Sequence, residues 1–378
     1  MRFVPAMRNF TSPLFRRWMS SPVGRWYAAY GELRRARSES RQKPGALRWK
    51  IVSPCPDRKL DAGGVQIGTR LYVLAGYSSQ DKVSAYVDVF DLQRRRWTER
   101  IGLAPNVAHS HLAFATDGVR FIYIVSGQYG PNCAPAVRDS FILDTQTKVW
   151  RPLPPLPEPR YAATMQLWGG RLHVLGGSLA DRYTPSTDHW SIDVAGGTFS
   201  DPTWRRELSI PTGVCHHASA VVGERLYLLG GQAGDFMAIP QSSTYECTGR
   251  TRETYFADVY RLRPGASEWE RLPDMLIPVS HVEAAALRVK STIIVCGGQC
   301  YKDPETFELE LTDAIQSFDT VSGKWKILGR LPYRVKTVVA GLYNDWIYVV
   351  GGQRDCGRSN PAPGNIVNHT WRARLPTP

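Results

Sequence analysis

LYLLGG at residues 226–231 is an apolar run that stops on two glycines, and five close copies of it lie along the chain. They are LYVLAG (71–76), IYIVSG (122–127), LHVLGG (172–177), IIVCGG (293–298) and IYVVGG (347–352). Their last glycines are 51, 50, 54, 67 and 54 residues apart. A short apolar run bounded by turn residues reads as a buried strand, and a recurrence near 50 residues marks a repeat architecture. The double glycine permits a turn at which a Cβ would clash.

Downstream of most runs lies a second strand-like segment, such as VDVFD (87–91), SFILD (140–144) or QSFD (316–319). A tryptophan follows, at Trp97, Trp150, Trp204, Trp269 and Trp325, and the units end in Pro-bearing stretches such as LPPLP (153–157) and LPDM (272–275). Six units with glycines, an aromatic and a tryptophan in phase resemble the kelch repeat, over about residues 47–375. That resemblance implies an all-β chain, a six-bladed kelch β-propeller with four strands to a blade. One small twisted sheet cannot bury both of its faces, whereas radial stacking covers each blade with its neighbours. The tryptophans fill the space between them.

The chain ends bear on closure. Trp371, in NHTWRARL (368–375), parallels DHWSID (188–193) of the third unit and reads as a third-strand position, after which the chain runs out. LRWKIVSP (47–54) precedes the first unit and reads as a fourth strand with its Pro turn. An N-terminal outer strand completing the last blade is therefore expected.

The whole sequence has 378 residues, 43% of them hydrophobic and 21% charged, enough to bury a large core. No stretch approaches 18 consecutive apolar residues, so no transmembrane helix is expected. The net charge of +13 suggests nucleic acid until it is divided: residues 1–50 hold 12 Lys or Arg against Glu32 and Glu39. The remainder is nearly balanced, which argues against a nucleic-acid clamp. Residues 1–46 are expected to be a disordered basic arm and 47–378 the propeller. The arm interleaves Arg2, Arg8, Arg16, Arg17 and Arg25 with aromatic and Ser residues and has no acid before Glu32, the composition of an organellar transit peptide. A solvated tail, or a start-site artefact, is the other reading. The seven cysteines form no C-x-x-C pair; Cys296 and Cys300 flank a Gly-Gly-Gln turn, where a disulfide or two thiols would fit.

Antiparallel order puts the start of strand one and the end of strand two at one end of a blade. Residues before the first strands and residues after the glycines should then converge on one face. The first set is Arg58, Asp61, His111, Arg160, Tyr161, His216, His217, His281, Glu283, Arg334 and Lys336. The second is Gln128, Tyr129, Ser178, Gln232, Asp235, Phe236, Gln299, Gln353 and Arg354. Gln follows the last glycine in four of six units. Two readings stand: a polar rim that binds a peptide or glycan, or amides that cap turn backbone between blades. The fourth unit also carries a long loop, 232–257, with Phe236 and Met237 as a lid or a docking patch.

Segments such as AHSHL (108–112), GQAGDFMA (231–238) and LGRLPYRVKT (328–337) are similar to a plant group of stand-alone kelch-repeat proteins. That resemblance implies a secretory-pathway or Golgi setting through an N-terminal anchor, whereas the arm here is Arg-rich and too polar for an anchor. A non-enzymatic, monomeric module with a protein or glycan partner, no cofactor and no bound metal is expected. The histidines His109, His111, His216, His217 and His281 give no coherent ligand set. Neither the Cys–Tyr ligation of kelch-type copper oxidases nor the Glu-x-x-x-Asp-x-x-x-His run of iron-binding kelch specifier proteins can be assigned. Kelch propellers that epimerise sialic-acid-type sugars are the enzymatic alternative, with Glu283 and His281 as acid and base and Arg160 or Arg334 holding a carboxylate.

Overall fold

The structure is a computed structural model. It describes residues 47–79, 82–130, 134–194, 197, 201–238, 247–248, 252–357 and 359–375. The basic arm, and most of the loop of the fourth unit, lie outside the described residues.

Six four-stranded antiparallel sheets follow one another around an axis. The first blade runs Gly63–Ile67, Arg70–Leu74, Tyr86–Asp91 and Arg96–Gly102 from inside to outside, and the second Ala113–Thr116, Phe121–Gln128, Ala136–Asp144 and Val149–Leu153. The third is Thr164–Trp168, Arg171–Leu175, His189–Asp193 and Arg205–Arg206. The fourth is Ala218–Val222, Arg225–Leu229, Val259–Leu262 and Glu270–Leu272, and the fifth Ala286–Val289, Thr292–Cys296, Ala314–Asp319 and Lys324–Arg330. In the sixth, Val339–Tyr343, Trp346–Val350 and Thr370–Arg374 come from the C-terminal end, and Lys50–Ile51 pairs outside them, Lys50 opposite Arg372 and Ile51 opposite Trp371. Each inner strand packs against the next, and the sixth meets the first. No helix is assigned among the described residues, and none is long and apolar enough to cross a membrane.

The second strands are buried on both faces because each blade is covered on both sides by its neighbours; in Arg70–Leu74 only Arg70 is exposed. The tryptophans make the same bond six times. Trp97, Trp150, Trp204, Trp269 and Trp325 each donate the indole N–H to a backbone carbonyl of the preceding blade's outer edge, at Ser53, Gly102, Pro154, Leu208 and Pro273, over 2.9–3.5 Å. Trp49 completes the ring by donating to Arg330 O at 2.7 Å.

The glycines follow from a close approach. At the second of each pair φ lies between 85° and 117°. A Cβ there would stand 2.6–2.9 Å from the carbonyl oxygen of Leu60, Ser110, Tyr161, Cys215, Ser280 or Lys336 in the six blades in turn. Those residues bridge the one after the glycine: Leu60 with Tyr77, Ser110 with Gln128, Tyr161 with Ser178, Cys215 with Gln232, Ser280 with Gln299 and Lys336 with Gln353. Residues before the first strands thus sit beside residues after the glycines. Beyond this point the chain rises in two-stranded hairpins, including Gln299–Lys302 with Leu309–Leu311 and Gln353–Gly357 with Asn360–Ile366.

Candidate functional site

The residue after each bridge turns into the axis. Asp61, His111, Ala162, His216, His281 and Thr337 occupy equivalent places, and all have φ between 48° and 59°, a left-handed conformation that Asp and His adopt more readily than other residues with a Cβ. Their backbones form a belt around the channel. His111 N donates to Asp61 O at 3.4 Å, Ala162 N to His111 O at 3.1 Å, His216 N to Ala162 O at 3.0 Å and Thr337 N to His281 O at 3.0 Å. Six-fold repetition therefore aims three histidines, an acid and a threonine at one point.

Side chains from the loops beyond the glycines close over this belt. Arg182, from the third blade, places its guanidinium 3.3 Å from Asp235 Oδ2, 3.0 Å from Gln128 Oε1 and 3.4 Å from His111 Nε2, and covers the Tyr161 ring. Asp235, at the base of the long loop of the fourth blade, also accepts from His216 Nε2 at 3.3 Å. On its other side His216 Nδ1 donates to Glu283 Oε1 at 2.7 Å. The ring lies flat against His281, centroids 3.8 Å apart.

Burial opposes charge on His216, but Glu283 and Asp235 outweigh it and its pKa is pushed up to about 10. It is a cation at neutral pH. Burial, and then the neighbouring cations, hold His111 and His281 well below the ordinary histidine value, so they are neutral. Asp235 is buried too, yet Arg182 and His216 keep it ionised. Asp61, 3.6 Å from His111, is raised by burial. Lys336 donates to Gln299 Oε1 at 2.9 Å. Arg182 and His216 thus meet Asp235 and Glu283, with Asp61 and Lys336 beside them.

The post-glycine amides serve between blades. Gln128 donates to Tyr77 OH and to Gly130 O. Gln232 donates to Gly234 O at 2.7 Å and accepts from Ser280. Gln299 donates to Tyr255 OH and Glu253. Each carbonyl accepts a hydrogen bond from another blade, so these buried glutamines link neighbouring blades. His111, Gln128, Arg160, Tyr161, His217, Gln232, Asp235, His281, Gln299, Lys336 and Arg354 are buried. Asp61, Phe236, Glu283, Arg334 and Gln353 are partly buried, and Arg58 and Tyr129 are exposed. Arg160 is bound by Asp188, Glu158 and the Pro159 carbonyl. Arg334 is held by Asp355 and Gly357 O. Arg354 covers Tyr333, and His217 shares a hydrogen bond with Thr164. Phe236 lies under Lys302 Nζ. Tyr129 stacks on His109, centroids 4.6 Å apart. Glu283 is therefore partnered by His216, not His281, and neither candidate arginine stands free beside it.

The residues overlooked are Arg182 and Tyr77. Tyr77 occupies the glutamine position of the first unit, a signal available from the phase of the repeats. Arg182 has no counterpart in the other units, and nothing in its surroundings in sequence marks it as turned inward. Cys296 and Cys300 are free thiols. Beyond the belt, on the side away from the loops, the inner strands line an open-ended cavity of about 190 Å³ with Glu283 among its lining residues.

The KLHDC2/KLHL20/DRC7 Kelch-repeats domain model matches residues 61–298. The chain is a kelch-repeat protein. Kelch repeat-containing protein At3g27220 of Arabidopsis thaliana is 43% identical over 329 residues, 87% of this chain and 76% of that protein. Human Kelch-like protein 34 is 30% identical over 173 residues, 44% of this chain and 24% of its own length. Among solved structures, that titled "Structure of YjhT" covers 85% of this kelch chain and 96% of its own with a TM-score of 0.64 at 15% identity, a likeness of fold.

Proposed function

We propose that this kelch propeller is a non-enzymatic binding module that meets a protein or glycan partner on the face bearing the post-glycine hairpins. The observation that carries the reading is the internal balance at the axis. Arg182 and His216 are paired with Asp235 and Glu283, and Lys336 is held by Gln299, which suits a rigid plug more than a reaction centre. What that face offers outward is Arg58, the Tyr129–His109 stack, the edge of Phe236, and Tyr301 on the hairpin of the fifth blade. Aromatic and arginine side chains on raised loops are the usual anchors of such contacts.

The test is affinity capture and glycan-array binding with wild type, Tyr129→Ala, Tyr301→Ala and Val321→Ser. Val321 lies on a third-to-fourth strand turn, at the opposite end of the blades. Retention that falls at least about fivefold in either tyrosine variant and not in Val321→Ser fits the reading; equal capture by all four sinks it. A second reading has one observation in its favour: the Glu283–His216 pair resembles an acid–base couple at the end of a cavity. Catalysed anomer exchange of an acidic sugar by NMR, abolished in Glu283→Gln, would establish that reading instead.

A further inference from the structure

We propose that the axial cavity beneath the charged belt is a binding site for a small, neutral, hydroxyl-bearing aromatic molecule. This site is separate from the hairpin face and does not depend on a partner there. The cavity, about 190 Å³ and open at one end, is lined by the inner strands of all six blades. Its lining includes the small residues Ala115, Ala286 and Ala340; Gly64 is small for another reason, since a Cβ there would collide with Val339 of the sixth blade. An engineered apolar cavity of about 150 Å³ holds benzene, so the space fits one substituted ring. Met165 and Leu167 on the third blade and Leu287 on the fifth supply apolar walls, and the residues toward Gln66, Thr116 and Leu287 become partly exposed, so entry is from that end.

The polar groups determine the class. At the inner end Glu283 has one oxygen bound by His216 at 2.7 Å. On the wall, Gln166 gives its amide N–H to Ser219, which leaves its carbonyl available to accept. Glu283 and Gln166 offer acceptors, and the Ser219 hydroxyl, which accepts from Gln166, keeps its own proton to donate, so a ligand hydroxyl, both donor and acceptor, suits the set. No Lys or Arg lines the cavity, which disfavours an anion such as an acidic sugar. A ligand cation would give up part of its hydration to reach a carboxylate that His216 already pairs with. A hydroxyl on a ring needs no such compensation.

The probe is benzyl alcohol, with toluene, benzoate and benzylamine as size-matched comparisons, followed by saturation-transfer NMR and titration calorimetry. Wild type should bind benzyl alcohol saturably, at least about tenfold more tightly than benzoate or benzylamine, with toluene between. Ala340→Leu, which fills the cavity from the sixth blade, should remove the binding while keeping a cooperative melt; Ala286→Leu does the same from the fifth blade if the first variant does not fold. The proposal is overturned if benzyl alcohol does not saturate, if both folded leucine variants bind it like wild type, or if a charged probe binds more tightly.

Discussion

Arg160 is only 2% exposed, and its guanidinium is shared among Asp188, Glu158 and a main-chain carbonyl. Arg160→Ala leaves Asp188 partly buried with only the exposed Arg206, at 3.2 Å, and opens a cavity where the buried arginine stood, a loss expected to cost about 3 kcal/mol. The variant should melt well below wild type, and a binding defect in it would report unfolding rather than a lost contact. His216 sets a pH dependence of stability. Its folded pKa, about 10, lies above the unfolded value near 6.5, so the folded state binds the extra proton between them. That stabilisation is complete below pH about 6.5 and disappears as pH rises towards 10. His173 and His217, held by burial at about 3, and His369, at about 4, act in the opposite sense. The unfolded chain takes up their protons first, so stability falls as pH drops below about 6.5. Melting temperature should therefore peak near pH 6.5 and decline on both sides. His216→Gln should lower the peak and flatten the alkaline limb; an unchanged alkaline slope in that variant would show that another group controls it.

At the scale of strands and turns, the second glycine of each pair carries the heaviest constraint. In Gly298→Ala the new Cβ meets Ser280 O at 2.9 Å in a backbone with φ of 117°, and a loss of about 2–3 kcal/mol is expected by chemical denaturation. The first position of the pair accepts Ala75 and Ser126 at φ near 50–55°, which is why the repeats are recognisable yet not identical. Much of this architecture was legible: spacing of the apolar runs gave the blades, and the phase of the tryptophans gave their interlocks. The sixth interlock was harder to read because Trp49 lies some 280 positions from the carbonyl it binds, at the other end of the chain. Its pairing leads to a truncation test. A chain beginning at residue 41 keeps Trp49 and the strand opposite Thr370–Arg374, and should melt cooperatively close to the full chain. A chain beginning at residue 57 loses both, exposes an edge and the Trp371 side of the sixth blade, and should aggregate or melt far lower. Equal melting of the two would remove the role given to the N-terminal strand.

Across the whole molecule, strand order alone predicted which residues would gather at one end, whereas their burial depended on loops whose direction no periodicity encodes. Arg182 and Asp235 come from such loops, in different blades, and turn inward where the repeats would otherwise leave a mouth. Their insertion also bears on metal binding. His111, His216 and Asp235 each present a ligand atom, all within 4.8 Å of one another. Distance alone would make this a metal site. Yet Arg182 already lies 3.3 Å from Asp235 Oδ2 and 3.4 Å from His111 Nε2, and both nitrogens of His216 face carboxylates that keep it protonated. A divalent ion would have to displace a guanidinium and a proton from a group whose pKa is about 10, and would then face the remaining cations in a poorly hydrated space. Dialysed protein should therefore hold no stoichiometric zinc, copper or iron, and added zinc should leave the melting temperature unchanged. Arg182→Ala removes the occupying cation and should melt lower, with zinc restoring part of the loss. One tightly held metal per wild-type chain, released in His216→Ala, would show instead that the belt is a metal centre and that the internal charge balance is not what closes the axis.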